Sequence, residues 1–308
     1  RLAGKELTPA RASISLRTPE QLLDTTALSR REMLEAASEI ARTIRENAVG
    51  NTDQTFHWFS LQRHPRANVV GVLPIGNSLY EGRCGIALFL AAMDCASRSE
   101  EHRALVDGSL KSLQRLLVAA RSGSNIRFAK NVLRELGIGG GSGLGSIIYS
   151  LSRIGRFYTE QEYLEDARCA AGLTADEFIA SYSRFDVLDG ITGLMLGLLA
   201  LYGESEETWV LERAVICGNR LLEGQISTGI SRGAWSNDGE RPLTGFSHGT
   251  AGISYGLLRL YEASKNPKYL VGAQEGIAYE QRQFDQHEVN WPDYREERRP
   301  SFMASWCH

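Results

Sequence analysis

The chain has 308 residues, 34 Lys and Arg against 37 Asp and Glu for a net charge of −3, a 43% hydrophobic composition and five scattered cysteines. With no Lys/Arg block and no basic stripe, this balance excludes nucleic acid or an anionic membrane surface as the partner, and an odd cysteine count without Cys-X-X-Cys reads as reduced thiols in the cytoplasm. The longest apolar runs, such as Gly193 to Tyr202, fall well short of the ~20 residues that span a bilayer, and no signal-peptide pattern opens the chain, so no integral membrane segment is expected.

Residues 1–31 are polar and lack sustained periodicity. They read as a linker or the tail of an upstream domain, ending in an N-cap region at Thr25-Thr-Ala-Leu-Ser29, and Arg at position 1 predicts that the chain is internal to a longer protein. From Met33 the apolar positions Met33, Ala37, Ile40, Ala41, Ile44 and Ala48 keep the spacing of an amphipathic helix. Residues 32–308 then form one domain in which helical spacing dominates and alternating strand patterns are scarce.

Within that domain a glycine doublet recurs four times, as Gly82-Arg-Cys-Gly85, Gly140-Gly-Ser-Gly143, Gly190-Ile-Thr-Gly193 and Gly249-Thr-Ala-Gly252, with first glycines 58, 50 and 59 residues apart. A fixed period of this size signals a repeat architecture. Each doublet opens an apolar helix, and each apolar helix is followed by an amphipathic one. Apolar and amphipathic helices alternating around a ring predict an all-α fold, an α/α toroid of inner and outer helices. Where inner helices converge, the glycines are expected to permit close backbone approach and a positive φ in the entering turn. The run Gly137 to Gly145 contains no G-x-G-x-x-G and no Gly-Lys-Ser/Thr, and no strand pattern precedes it, so it does not read as a phosphate loop.

Three of the entering segments carry reactive groups: Asp186 and Asp189 before Gly190, His248 before Gly249, and Trp306-Cys307-His308 at the end of the chain, where a fifth doublet would begin. That position predicts an incomplete toroid, cut inside its own site with the last repeats missing. In a toroid the entering loops gather at one mouth, so an aspartate, a histidine and a cysteine far apart in sequence would face one cavity. The competing readings are structural: Asp186 as an N-cap, His248 as a loop tether. Cys84, Cys95, Cys169 and Cys217 read as small core residues, and His57, His64, His102 and His287 as solvated.

Leu79-Tyr80-Glu81-Gly82 with Gly85-Ile-Ala-Leu-Phe-Leu90, then Asp186-Val-Leu-Asp189-Gly190, Ser247-His248-Gly249-Thr-Ala-Gly252, and Asn290-Trp-Pro-Asp293 leading to Ser305-Trp306-Cys307-His308 resemble in order the signatures of the LanC-like cyclase domain. In detail they resemble the C-terminal half of a class II lanthipeptide synthetase. The resemblance implies a zinc toroid that forms lanthionine and methyllanthionine rings, adding a peptide Cys thiol to dehydroalanine or dehydrobutyrine in a precursor peptide. Coordination to Zn²⁺ would deprotonate that thiol, whose ordinary pKa is ~8.5. Cys307 matches the first zinc ligand, with the remaining ligands expected beyond residue 308; His308 follows that ligand and is not counted as one. His248 matches the acid/base residue and Asp186 its acidic partner, in preference to Asp189. The partners implied are the dehydrated, Cys-containing peptide and an upstream dehydratase domain in the same chain; as a fragment the chain is expected to be inactive alone. Two alternatives stand beside it, a LanC-like protein that adds glutathione to dehydrated proteins and a non-catalytic peptide-binding α-toroid. An unrelated α/α barrel such as a glycoside hydrolase would need two carboxylates across a cleft.

Overall fold

The computed structural model describes residues 27–63, 69–121, 126–237, 241–295 and 301–302. The chain divides into two compact units, Arg1–Arg42 and Thr43–His308. In the first, the described residues belong mainly to helix α1 (Arg30–Glu46). A capping box starts it three residues before the expected Met33: the Ser29 hydroxyl accepts from Glu32 N at 3.3 Å, and the Glu32 carboxylate accepts from Ser29 N at 2.8 Å.

The second unit opens with two small antiparallel pairs that the helical spacing did not foresee, β1 (Val49–Gly50) with β2 (Phe56–His57) and β3 (Phe59–Arg63) with β4 (Val70–Pro74). Among the described residues, helices follow in couples. Four inner helices, α2 (Arg83–Ser97), α5 (Leu144–Tyr158), α8 (Ile191–Ser205) and α10 (Thr250–Ser264), pack in series, and each is backed by the outer helix that follows it: α3 (Arg103–Arg121), α6 (Gln161–Gly172), α9 (Thr208–Gly224) and α11 (Pro267–Gln283). Two further helices, α4 (Ile126–Leu136) and the short α7 (Asp176–Ala180), lie in the connections. The fold is all-α, with the double layer of an α/α toroid. Leu90, Leu151, Leu198 and Leu257 are buried from the inner layer, and Leu110, Ala167, Val210 and Tyr269 from the outer one, so the core lies between the two layers.

The inner helices are copies to the residue. Each has 15 residues, an N-cap glycine, and a left-handed C-cap at Arg98, Thr159, Glu206 or Lys265, with φ between 54° and 57°. This regularity corrects the frame of the second repeat. The N-cap there is Gly143, not Gly140, so the caps stand 61, 47 and 59 residues apart and the fourth position of the motif reads Gly85, Ser146, Gly193 and Gly252. Gly140 mimics the motif because it is a glycine for another reason: its backbone lies against Gly193 where α5 meets α8.

The expected positive φ is found in the turns entering α5 and α10, at Gly137 (φ 69°) and Gly245 (φ 92°), but not at the capping glycines. Gly82, Gly143, Gly190 and Gly249 are extended, with φ between −108° and −142°, a conformation open to any residue. What they require is space. A Cβ on Gly82, Gly143 or Gly190 would stand within 3 Å of the backbone of Ser78, Gly139 or Asp186, four residues earlier, and one on Gly249 would meet the Thr244–Gly245 peptide. The loop wraps this tightly because it caps its own helix. In α5, Leu144 N, Gly145 N and Ser146 N donate to the carbonyls of Gly137, Ile138 and Gly139, and in α8 Ile191 N, Thr192 N and Gly193 N donate to those of Arg184, Phe185 and Asp186, always seven residues back. Orphan N–H groups that a side chain ordinarily caps are satisfied here by a backbone wrap.

Candidate active site

The entering loops are stitched together by backbone hydrogen bonds. Tyr80 N donates to Gly141 O (3.0 Å), Gly140 N to Val187 O (2.8 Å), Gly141 N to Leu188 O (3.0 Å), and Val187 N and Leu188 N both to Ser247 O (3.1 and 3.0 Å). The segments carrying Asp186 and His248 are therefore held edge to edge, 62 residues apart in sequence, with Asp186 Oδ2 at 3.2 Å from His248 Nδ1.

Asp186 is 2% exposed. Its Oδ1 accepts from Asp189 N at 2.7 Å, and its Oδ2 accepts from Asn237 Nδ2 at 3.2 Å. The Asn237 carbonyl in turn accepts from Phe185 N at 2.9 Å, which fixes the amide. Asp186 is not the N-cap of α8, which is Gly190. Asp189 is drawn elsewhere: it accepts from the Ser142 hydroxyl and pairs with Arg184 at 3.6 Å. The His248 ring is held above its ordinary pKa of 6.5, first by the hydrogen bond to Asp186 and then by the charges of Asp186 and Asp189, against burial and Arg295. The buried carboxylate fixes the tautomer at Nδ1, favours the imidazolium, and leaves Nε2 to exchange a proton with a reactant.

Trp306, Cys307 and His308 lie outside the described residues. The chain leading toward them is held to the loop that carries His248: Thr244 Oγ1 donates to Pro292 O at 2.7 Å, Asp293 and Ser301 exchange backbone hydrogen bonds of 2.7 and 3.3 Å, and Asn290 Nδ2 donates to Phe302 O at 3.1 Å. Among the described residues, no three His, Cys, Asp or Glu side chains come together as a metal site.

Two site residues escaped the sequence reading. Asn237 stands in a turn-like Ser-Asn-Asp-Gly stretch with no motif of its own. Glu280 lies on an outer helix but is only 7% exposed, and its Oε1 accepts from Gly245 N (3.2 Å) and Ala251 N (2.7 Å), on either side of His248. Burial pushes its carboxyl up to about 7. Elsewhere, Cys84, Cys169 and Cys217 are buried as expected, whereas Cys95 is exposed. His102 is not solvated: it is 8% exposed and its Nδ1 meets Asp94 at 2.8 Å.

Among solved structures, this chain is similar to a possible member of the GH105 family from Klebsiella pneumoniae (13% identity, 94% of this chain and 89% of that one, TM-score 0.39). It is also similar to a family 76 glycoside hydrolase from a bovine Bacteroides thetaiotaomicron strain (12% identity, 82% and 57%, TM-score 0.41). Overlaps this loose carry no argument. No curated protein matches the sequence. Residues 74–308, well over half of the chain and including every glycine-capped helix, match the lanthionine synthetase C-like protein family. The chain belongs to the lanthionine synthetase C-like family.

Proposed function

We propose that this protein closes lanthionine and methyllanthionine rings in a ribosomally made precursor peptide. The observation that carries the reading is the buried Asp186 carboxylate set on Nδ1 of His248, within a chain whose family matches from residue 74 onward. A Cys thiol of the peptide gives up its proton, the sulfur adds to the β-carbon of a dehydroalanine or dehydrobutyrine, and the electron pair of the double bond moves onto the adjoining carbonyl as an enolate. Protonation at the α-carbon completes the ring. His248 suits the proton steps: neutral, its Nε2 accepts from the thiol; protonated, it returns the proton to the enolate, and Asp186 stabilises that cation. Asn237 and Asp189 N hold the carboxylate in place for both.

The cofactor in this reading is Zn²⁺, with Cys307 among its ligands. The described residues do not themselves assemble a metal site, so the steps above use only His248 and Asp186. The dehydrated residues are supplied by a dehydratase, in this reading an upstream domain of the same protein.

The test uses the full-length protein and a chemically dehydrated, Cys-containing peptide, counting free thiols by alkylation and mass spectrometry because ring closure leaves the mass unchanged. Loss of alkylatable thiol that disappears in His248→Gln supports the reading, as does zinc content that falls in Cys307→Ala. Thiols that stay fully alkylatable with the unmodified, zinc-loaded protein would sink it.

A further inference from the structure

The wrap is complete in the second and third repeats and is kept by Arg83 N and Gly85 N in the first, whereas the fourth redirects it to a side chain, at the loop that carries His248. In α10 the first and third N–H groups follow the pattern, with Thr250 N donating to Leu243 O (3.0 Å) and Gly252 N to Gly245 O (3.3 Å). The second, Ala251 N, ought to reach Thr244 O. It donates instead to Glu280 Oε1 at 2.7 Å. The reason lies one bond away. Gly245 has φ +92°, whereas its counterparts Ser78, Gly139 and Asp186 in the other repeats do not adopt a positive φ. The Thr244–Gly245 peptide is turned over relative to its counterparts, so its carbonyl no longer serves Ala251 N and its own N–H is presented to Glu280 Oε1 at 3.2 Å. Only a glycine sustains this turn without strain.

We propose that Glu280 is the positioning residue of His248: one buried carboxylate oxygen closes both ends of the loop 245–251, selects the turned-over Thr244–Gly245 peptide, and so fixes where the imidazole meets Asp186. Two further contacts anchor α11 beside this staple, and a third ties the loop to the 290–293 segment. Tyr279 Oη donates to Pro242 O (3.1 Å), Trp291 Nε1 donates to Glu280 O (2.9 Å), and Thr244 Oγ1 donates to Pro292 O (2.7 Å). The inference rests on the reading of His248 as the acid–base group, but its first readout does not.

The experiment follows the His248 imidazole by NMR titration in the full chain, ¹³C-labelled at histidine and assigned with His248→Gln, in Glu280→Gln, Glu280→Asp and Glu280→Ala. Glutamine keeps the accepting Oε1 and is expected to titrate like the unmodified protein. Aspartate is one methylene short of both donors, and alanine lacks the acceptor. With either of these the His248 pKa should fall toward its ordinary value by roughly half to one pH unit, and ring closure should lose about tenfold in kcat with KM within about twofold. A folded Glu280→Asp protein with unchanged His248 titration overturns the proposal, and so does Glu280→Gln falling as far as Glu280→Asp. Should the shortened variants not fold, amide exchange in the unmodified chain decides: Gly245 and Ala251 amides protected together support the staple, and fast exchange at both overturns it. A His248 pKa that responds as described in a protein that closes no ring would sink the cyclase reading and leave the positioning role standing.

Discussion

Replacing Glu280 by glutamine tests the electrostatics of the site through stability alone. Glu280 is 7% exposed and hydrogen-bonded to two N–H groups at the start of α10. Those bonds favour the carboxylate, yet burial outweighs them and raises the carboxyl from 4.5 to about 7. The folded protein therefore holds this proton more tightly than the unfolded chain does. The stability tied to it is fully present below pH 4.5, falls as the pH rises toward about 7, and is constant above that. At ~1.4 kcal/mol for each tenfold in proton affinity, the loss is about 3 kcal/mol. Glutamine is neutral throughout and keeps the accepting oxygen, so it escapes this loss. Its new NH₂ group costs about 1 kcal/mol if it finds no acceptor, equally at every pH. Urea unfolding of both proteins should show Glu280→Gln unchanged to about 1 kcal/mol less stable at pH 4.5 and about 2–3 kcal/mol more stable at pH 8. Groups common to both proteins cancel in the difference. A stability difference that does not change between the two pH values would refute the claim that burial raises the Glu280 carboxyl.

Asp186→Asn keeps a hydrogen-bonding side chain of the same shape but removes the charge that raises the His248 pKa. That raised pKa means stability present below 6.5 and lost as the pH rises through the folded value, so the variant should destabilise more at pH 5.5 than at pH 8.5 and bring the imidazole titration down to 6.5 or below; equal destabilisation at both would contradict the pairing. Gly190→Ala places a Cβ within 3 Å of the Asp186 and Arg184 backbone, whereas Gly203→Ala in the same helix meets nothing within 4 Å. The first should cost about 2–4 kcal/mol and the second stabilise by about 0.5–1 kcal/mol, which thermal unfolding separates. Lys265→Gly relieves a left-handed residue at φ 56° and should stabilise by about 0.5–1 kcal/mol, with no gain at all refuting the strain.

The inner layer was legible in the sequence because its signal is local. An unbroken apolar helix announces itself in Leu194 to Tyr202, and the glycines before Arg83, Ile191 and Thr250 mark the starts. The second repeat misled because glycine serves two purposes within a few residues: Gly143 caps α5, while Gly140 makes room for Gly193. Composition cannot separate the two, since both requirements are for the absence of a Cβ. The conformation was misread for a related reason. A glycine that needs space looks the same in sequence as one that needs a positive φ, and the positive φ falls not on the capping glycines but on Gly137 and Gly245 in the entering loops and on the C-caps Arg98, Thr159, Glu206 and Lys265, where helix termination overrides preference. At the site, Asp186 and His248 were marked by the motifs before their glycines. Asn237 and Glu280 were not, because each acts by reaching a backbone group distant in sequence, and nothing in a single sequence pairs residue 280 with residues 245 and 251.

A repeat makes four equivalent loops at the same end of the inner layer, and identical loops would place four identical groups there. Chemistry needs the opposite, an acid, a base and a substrate position at unlike points, so function requires that the copies diverge without breaking the wrap that caps each helix. The wrap tolerates this because its hydrogen bonds are made by backbone. In the third repeat the side chain at the position four before the cap is free to be Asp186, turned toward the neighbouring loop. In the fourth the same position is Gly245, and the carbonyl lost when its peptide turned over was replaced from outside by Glu280. The Asp186 and His248 loops then meet through Ser247 O, which takes both Val187 N and Leu188 N. The imidazole and the carboxylate therefore belong to adjacent repeats, and any change that lets the fourth loop revert to the conformation of its siblings should separate them.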